Sequence, residues 1–195
     1  MSKGKYLTAI LRSPKTVFSS KDIALLWNEA SSNATRVRLN YFVKRGDLIR
    51  IRKGLYAKDK NYNILELATR ILTPAYVSFE TVLAKEGLIF QYYEPTFVAS
   101  YATRKIKIDR YELCFRKIKT DVLVDSLGVD LVSETSIATK ERAFLDMIYV
   151  NSNYHFDNLR SLNWDKVKEI LPIYNNQAMT KKVNNIYKKA NRQTA

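Results

Sequence analysis

Along the first third of the chain, apolar positions recur every three or four residues and then switch to every second residue. In "KYLTAILR" (5–12), Leu7, Ile10 and Leu11 share one helical face, and Pro14 ends the segment because its ring cannot continue a helix. Ser20 stands where an N-cap belongs for a second helix, "KDIALLWNEA", whose Ile23, Leu26 and Trp27 line one side. The polar "SSN" follows, with Ser32 or Asn33 as the next cap. A third helix is predicted over "ATRVRLNYFVKRG", with Leu39, Phe42 and Val43 as its stripe and Gly46 at its C-terminal cap. "LIRIRKGLYAK" alternates instead: Ile49 and Ile51 fall on one side, Arg50 and Arg52 on the other, and Lys53-Gly54 offers a turn, which predicts a β-hairpin.

Beyond residue 62 the pattern changes. "NILELATRIL" is helical by spacing, "TPAYVS" breaks it, and "SFETVLAKEGLI" reads as a helix opened by Ser78 and closed by Gly87. Between residues 96 and 133, "TFVASYA", "KIKID", "YELCFRKI" and "DVLVDSLGVDLVS" are rich in β-branched and aromatic residues, predicting about four strands in a mostly antiparallel sheet. "TSIATKERAFLDMIYV" returns to helix, and residues 157–192 are helical with breaks near Asn163-Trp164 and at Pro172. The predicted class is α+β: an N-terminal winged helix-turn-helix over residues 1–60, then a C-terminal α/β domain over 61–195 with a small, mostly antiparallel sheet and a helical C-terminus. Three helices and a hairpin in that order make the winged helix-turn-helix pattern, whose third helix enters the DNA major groove and whose hairpin is the wing.

Charge sharpens this picture. The 195 residues carry a net charge of +14 at pH 7, and residues 1–60 hold 14 Lys and Arg against four Asp and Glu, a local excess of +10. Such a concentration points to a polyanionic partner. With the Leu39/Phe42/Val43 stripe turned inward, a helical wheel of about 100° per residue puts Val37, Tyr41 and Lys44 on the outward face, flanked by Arg38, Asn40 and Arg45. Arg36 and Arg38 lie near the helix N-terminus, the end that reaches base edges, while Lys44, Arg45, Arg50, Arg52 and Lys53 are spaced for phosphates. The candidate DNA-binding set is therefore Arg36, Arg38, Asn40, Tyr41, Lys44, Arg45, Arg50, Arg52 and Lys53, and the expected partner is double-stranded operator DNA. In "QAMTKKVNNIYKKANR", Lys181, Lys182, Lys188, Lys189 and Arg192 form a basic ridge opposite an apolar face. It reads as a solvated surface, as a set of secondary phosphate contacts or, last in order, as a contact with an anionic membrane surface.

Other chemistry is sparse. One cysteine, Cys114, and one histidine, His155, leave no disulfide and no Cys/His metal cluster, and none of the familiar nucleophile, phosphate-loop or zinc-protease motifs occurs. The expectation is a non-enzyme without metal or cofactor. The N-terminal apolar run is too short for a signal peptide and no apolar stretch reaches a membrane-spanning length, so a cytoplasmic protein without membrane partners is expected.

"LIRIRKGLYA", "PAYVSFETVLAKEGLI" and "TSIATKERAFLDMIYV", in that order and spacing, resemble the AbiEi antitoxin family of bacterial abortive-infection toxin-antitoxin systems. The resemblance implies an N-terminal winged helix that represses its own operon. It also implies a C-terminal domain that counteracts a nucleotidyltransferase-like toxin in phage defence, without requiring a stable complex. Two other readings stand beside it: a winged-helix repressor unconnected with any toxin, and an antitoxin acting by direct toxin binding, with Asp121, Asp125, Asp130 and Glu134 as a surface for a basic partner.

Overall fold

The computed structural model describes residues 3–192, within which the chain forms two compact units, one ending at Ile71 and the other beginning at Leu72. In unit 1 the order is α1 (Lys3–Arg12), β1 (Val17–Ser19), α2 (Ser20–Leu26), α3 (Ser32–Lys44), β2 (Ile49–Arg52), β3 (Leu55–Ala57) and α4 (Ile64–Ile71). The three strands form an antiparallel sheet in the order β1-β3-β2, with Phe18 opposite Tyr56 and Arg50 opposite Tyr56 on the other side. Its core joins Ile10, Phe18, Ile23, Trp27, Leu39, Phe42, Leu48 and Tyr56. Each such large side chain contributes about 1.5–3 kcal/mol on leaving water. The Trp27 indole also satisfies its one donor, its Nε1–H donating a hydrogen bond to the Tyr6 carbonyl at 2.9 Å.

Three expectations for this unit shift by a residue or more. Ser19 rather than Ser20 caps α2: its Oγ accepts from the Asp22 amide at 3.1 Å, and the Asp22 carboxylate accepts from the Ser19 amide at 2.8 Å. This reciprocal capping box decides between the two serines. Ser31, not Ser32 or Asn33, caps α3, its Oγ accepting from the Ala34 amide at 3.3 Å. The helix stops where Gly46 takes a left-handed φ of 78°, and the Asp47 amide then reaches back to the Phe42 carbonyl at 2.9 Å. Finally, α4, expected beyond a boundary at 60/61, belongs to unit 1. Buried Glu66 accepts from the Thr16 amide at 2.8 Å and from its hydroxyl at 2.6 Å, and Arg70 bridges Glu66 and Asp22 at 3.2 and 3.0 Å.

Unit 2 contains β4 (Ala75–Val77), α5 (Glu80–Lys85), β5 (Thr96–Ser100), β6 (Arg104–Ile108), β7 (Tyr111–Lys117), α6 (Thr120–Val124), β8 (Val129–Val132), β9 (Thr135–Ala138), α7 (Lys140–Val150), α8 (Trp164–Ile170), a 3₁₀ turn (Leu171–Tyr174) and α9 (Gln177–Arg192). The expected small, mostly antiparallel sheet of four strands is corrected to a six-stranded mixed sheet in the order β6-β7-β5-β4-β9-β8, with β5/β7 and β4/β9 parallel. The segments read as a break, "TPAYVS", and as a helix start, "TSIA", supply β4 and β9, while "DVLVDSLGVDLVS" divides into α6 and β8. Strands of three or four residues are too short to display an alternation of their own.

The centre of this unit is polar. Arg142 and Asp146, one turn apart on α7, expose no side-chain surface. The guanidinium donates to the Leu127 carbonyl at 2.6 Å and to the Val122 carbonyl, and Asp146 accepts from Tyr174 at 2.6 Å, Tyr76 at 3.1 Å and Ser78 at 2.7 Å. Burial, reinforced by the Asp146 charge, holds both phenols well above their ordinary range, so they remain donors. Ser78 is therefore a buried tie rather than the cap of α5. Phe79 takes the cap position, with a φ of 54° and no side-chain hydrogen bond. Cys114 is buried on β7, and burial pushes its thiol up.

Candidate nucleic-acid interface

The outward face of α3 is open as its periodicity predicts: Val37 is 67% exposed, and Arg36, Asn40, Tyr41 and Lys44 are exposed beside it. The hairpin turn is tied to the start of α2 by a backbone hydrogen bond, the Ser20 amide donating to the Gly54 carbonyl at 3.0 Å. Gly54 holds that turn with a φ of 83°, a conformation that other residues adopt at a cost. Between these elements runs a groove of about 420 Å³. Arg36 and Asn40 of α3 line it together with Arg50 and Lys53 of the hairpin, joined by Lys21 and Asn33.

Among the described residues, no carboxylate lines this groove. The acidic side chains of unit 1 are spent elsewhere: Asp22 on Lys15 and Arg70, Glu29 on Arg38, Asp47 on Arg45 and Glu66 on Arg70, with Asp59 at the exposed start of the loop to α4. Burial alone would raise the Asp22 carboxyl, but the hydrogen bonds from Ser19 and the cations Lys15 and Arg70 hold it below the usual carboxylate range. The Arg38 hydrogen bond does the same for Glu29. Arg36, Lys44, Arg50, Arg52 and Lys53 have no ion-pair partner among the described residues. Their charge stays available to an external anion, since unpaired cations around a concave surface add to one potential.

The predicted set is thus sorted by the fold. Arg36, Asn40, Arg50 and Lys53 share the groove. Tyr41 and Lys44 lie further along the exposed face, and Arg45 donates to the Tyr41 hydroxyl at 2.8 Å while pairing with Asp47 at 3.0 Å. Arg52, beyond a bulge in β2, is exposed but does not line the groove. Arg38 is turned away from it: its guanidinium packs 3.9 Å from the centre of the Tyr6 ring and pairs with Glu29 at 2.9 Å. Lys21 and Asn33, the latter read from the sequence only as a helix cap, were not in the predicted DNA-binding set. Their place depends on β1 and on the contact of Ser20 with Gly54, neither of which has a periodic signature. In unit 2, Lys181 and Lys188 are exposed, Lys182 and Lys189 line a separate hollow, and the Arg192 side chain lies outside the described residues.

One comparison bears on this segment. Residues 5–57 match the family model described as transcriptional regulator, AbiEi antitoxin. The AbiEi match runs from α1 to the last residue of β3 and so contains the whole groove. It stops short of α4 and of unit 2, where the motifs resembling AbiEi in residues 74–149 lie. No curated protein matches the chain. Among the described residues, no group of three or more His, Cys, Asp or Glu could hold a metal ion, and no helix is long and apolar enough to cross a membrane.

Proposed function

We propose that the chain is a cytoplasmic, non-catalytic AbiEi-type antitoxin whose unit 1 acts as a winged helix-turn-helix, binding operator DNA to repress its own toxin-antitoxin operon. The observation that carries this reading is the carboxylate-free groove, where Arg36 and Asn40 of α3 face Arg50 and Lys53 of the hairpin. In duplex DNA α3 occupies the major groove, Arg36 and Asn40 contact base edges, and Arg50, Arg52, Lys53, Lys44 and Lys21 hold phosphates. Arg38 shapes the helix from behind by stacking on Tyr6. Unit 2 counteracts a nucleotidyltransferase-like toxin in abortive infection by phage, a role supported by the resemblance of residues 74–149 to AbiEi antitoxins.

A second reading, antitoxicity by direct contact with the toxin, is favoured by one observation. The edge strand β8 exposes Leu131 (72%) and Val132 (52%) beside Asp130, with Asp121 and Asp125 nearby in sequence, as a basic and apolar partner would require.

Two assays separate the roles. A reporter fused to the native promoter should be repressed by the chain and released by Arg36→Ala/Arg50→Ala. When toxin and antitoxin are expressed from independent heterologous promoters, the same variant should still rescue growth, and Asp130→Lys/Leu131→Lys should abolish rescue if contact is the mechanism. Loss of rescue in a folded Arg36→Ala/Arg50→Ala variant would sink the division of labour between the units.

A further inference from the structure

The hollow that Lys182 and Lys189 line has a chemistry that operator binding leaves unused. It measures about 940 Å³, within the upper range of small-molecule sites, and lies between the segment 154–164, α9 and Phe90. Its lining interleaves aromatic rings (Phe90, Phe156, Trp164) with cations (Arg160, Lys182, Lys189). The rings are held from their neighbours' side. Phe156 packs against Phe144 at 4.8 Å and Tyr154 at 5.2 Å, and Trp164 meets Tyr187 edge-on at 5.1 Å. Phe90 is different, for it is 75% exposed. Its amide donates to the Asp157 carboxylate at 2.7 Å, and the amides of Asp157 and Asn158 donate to the Leu88 carbonyl at 3.0 and 3.2 Å, so the backbone beneath this exposed ring is tied to the opposite wall. The carboxylate that lines the hollow is thereby engaged, also lying 3.8 Å from His155. Lys182 and Lys189, two helical turns apart, stand about 10 Å from each other along α9.

An acidic peptide would use the cations and leave the rings idle, and a double helix would offer phosphates without a free base. A nucleoside phosphate uses both features, because every base has a face to stack and a phosphate to pair. We propose that this hollow binds a nucleoside phosphate, with the base against Phe90 and the neighbouring rings and the phosphate drawn to Lys182, Lys189 and Arg160. The source is either a free nucleotide or the unpaired end of a nucleic-acid strand. This site is independent of the operator groove.

The test uses the full chain in an Arg36→Ala/Arg50→Ala/Lys53→Ala background, which weakens the unit 1 groove so that the hollow dominates the readout. Fluorescence anisotropy is recorded with two probes, mant-ATP and a fluorescein-labelled five-nucleotide single strand of DNA. The proposal expects at least one probe to bind. Phe90→Ala should weaken binding about 5- to 160-fold, the span of one base-aromatic stack. Lys182→Ala/Lys189→Ala should weaken it and flatten its salt dependence, whereas Lys107→Ala/Lys117→Ala, an equal loss of exposed charge on the sheet, should not. Tighter binding of mant-ATP identifies a free nucleotide as the source, and tighter binding of the oligonucleotide identifies a strand end. Binding of neither probe, equal weakening by the two lysine pairs, indifference to Phe90→Ala, or competition by duplex DNA as strong as by single strand would each overturn the proposal. Failure of operator binding in the native chain, by contrast, would leave this result untouched.

Discussion

The guanidinium of Arg38 lies 3.9 Å from the centre of the Tyr6 ring, which fastens α3 to α1 across the core of unit 1. Arg38 Nη1 also pairs with Glu29 at 2.9 Å, so this residue is committed to the fold on two sides while Arg36, two positions earlier, is free at the groove. The two arginines should therefore fail differently. Arg38→Ala is expected to lower the thermal midpoint, with a loss of about 1–2 kcal/mol from the stacked and paired guanidinium, and to weaken binding to all DNA alike. Arg36→Ala should leave the midpoint unchanged and cost about 1–3 kcal/mol on the operator, with much less on a scrambled duplex. Calorimetry and anisotropy on both variants check this; equal losses on operator and scrambled DNA for Arg36→Ala would remove it from base readout.

Asp22 ties the capping box of α2 to Arg70 of α4, and hydrogen bonds from Ser19 with the nearby cations Lys15 and Arg70 hold its carboxyl below the usual carboxylate range in the folded chain. A carboxylate depressed by folding contributes stability that is fully present above its unfolded value and is lost as pH falls through the folded one. Unit 1 should therefore lose stability below about pH 4. Asp22→Asn should cost about 1–2 kcal/mol at neutral pH and make the remaining acid transition shallower. Thermal melts between pH 2.5 and 7 read both effects, and an unchanged acid limb in Asp22→Asn would assign the loss to other carboxylates.

Glu66 supplies the only carboxylate that Thr16 meets among the described contacts, accepting from both its amide and its hydroxyl. Removing α4 should accordingly leave residues 1–60 less stable than residues 1–71, by about 1–3 kcal/mol for the buried donors left unpaired. Chemical denaturation of the two fragments measures the difference, and equal midpoints would show that α4 merely leans on the unit.

Gly128 is a sharper test of packing in unit 2. Its φ is 74°, and an added Cβ would stand 2.7 Å from Ile170 Cδ1 and 3.0 Å from the Cβ of Arg142. Gly128→Ala should destabilise unit 2 by about 2–4 kcal/mol, combining left-handed strain with overpacking. A melting temperature within error of the native chain would contradict that packing.

The helices and hairpin of unit 1 were legible because each has a periodic face of its own and a punctuating residue: Pro14, Gly46, Gly54. The Ser19-x-x-Asp22 pairing was also available in the sequence, and it outranks Ser20 as a cap because only Ser19 has an acceptor three residues on. The six-stranded sheet was not legible in full, since β4 and β9 draw their order from partners rather than from alternation. For the interface, the sequence identified which cations could face DNA but not which were already spent. Glu29 and Tyr6 capture Arg38 through tertiary contacts, and Lys21 joins the groove only because the start of α2 is bonded to the hairpin turn. The hollow of unit 2 is assembled from residues 90, 154–164 and 182–190, segments too distant for any local pattern to connect.

If the groove of unit 1 is the DNA-binding surface, the salt dependence of binding to a duplex spanning the native promoter shows it most directly. Each phosphate contact contributes about −0.9 to the slope of log affinity against log salt. The full chain should give a slope of about −3 or steeper, and Arg50→Ala/Lys53→Ala should make it shallower by about 2 while weakening binding. An affinity that is independent of salt, or a slope and affinity unchanged by Arg50→Ala/Lys53→Ala, would contradict the account.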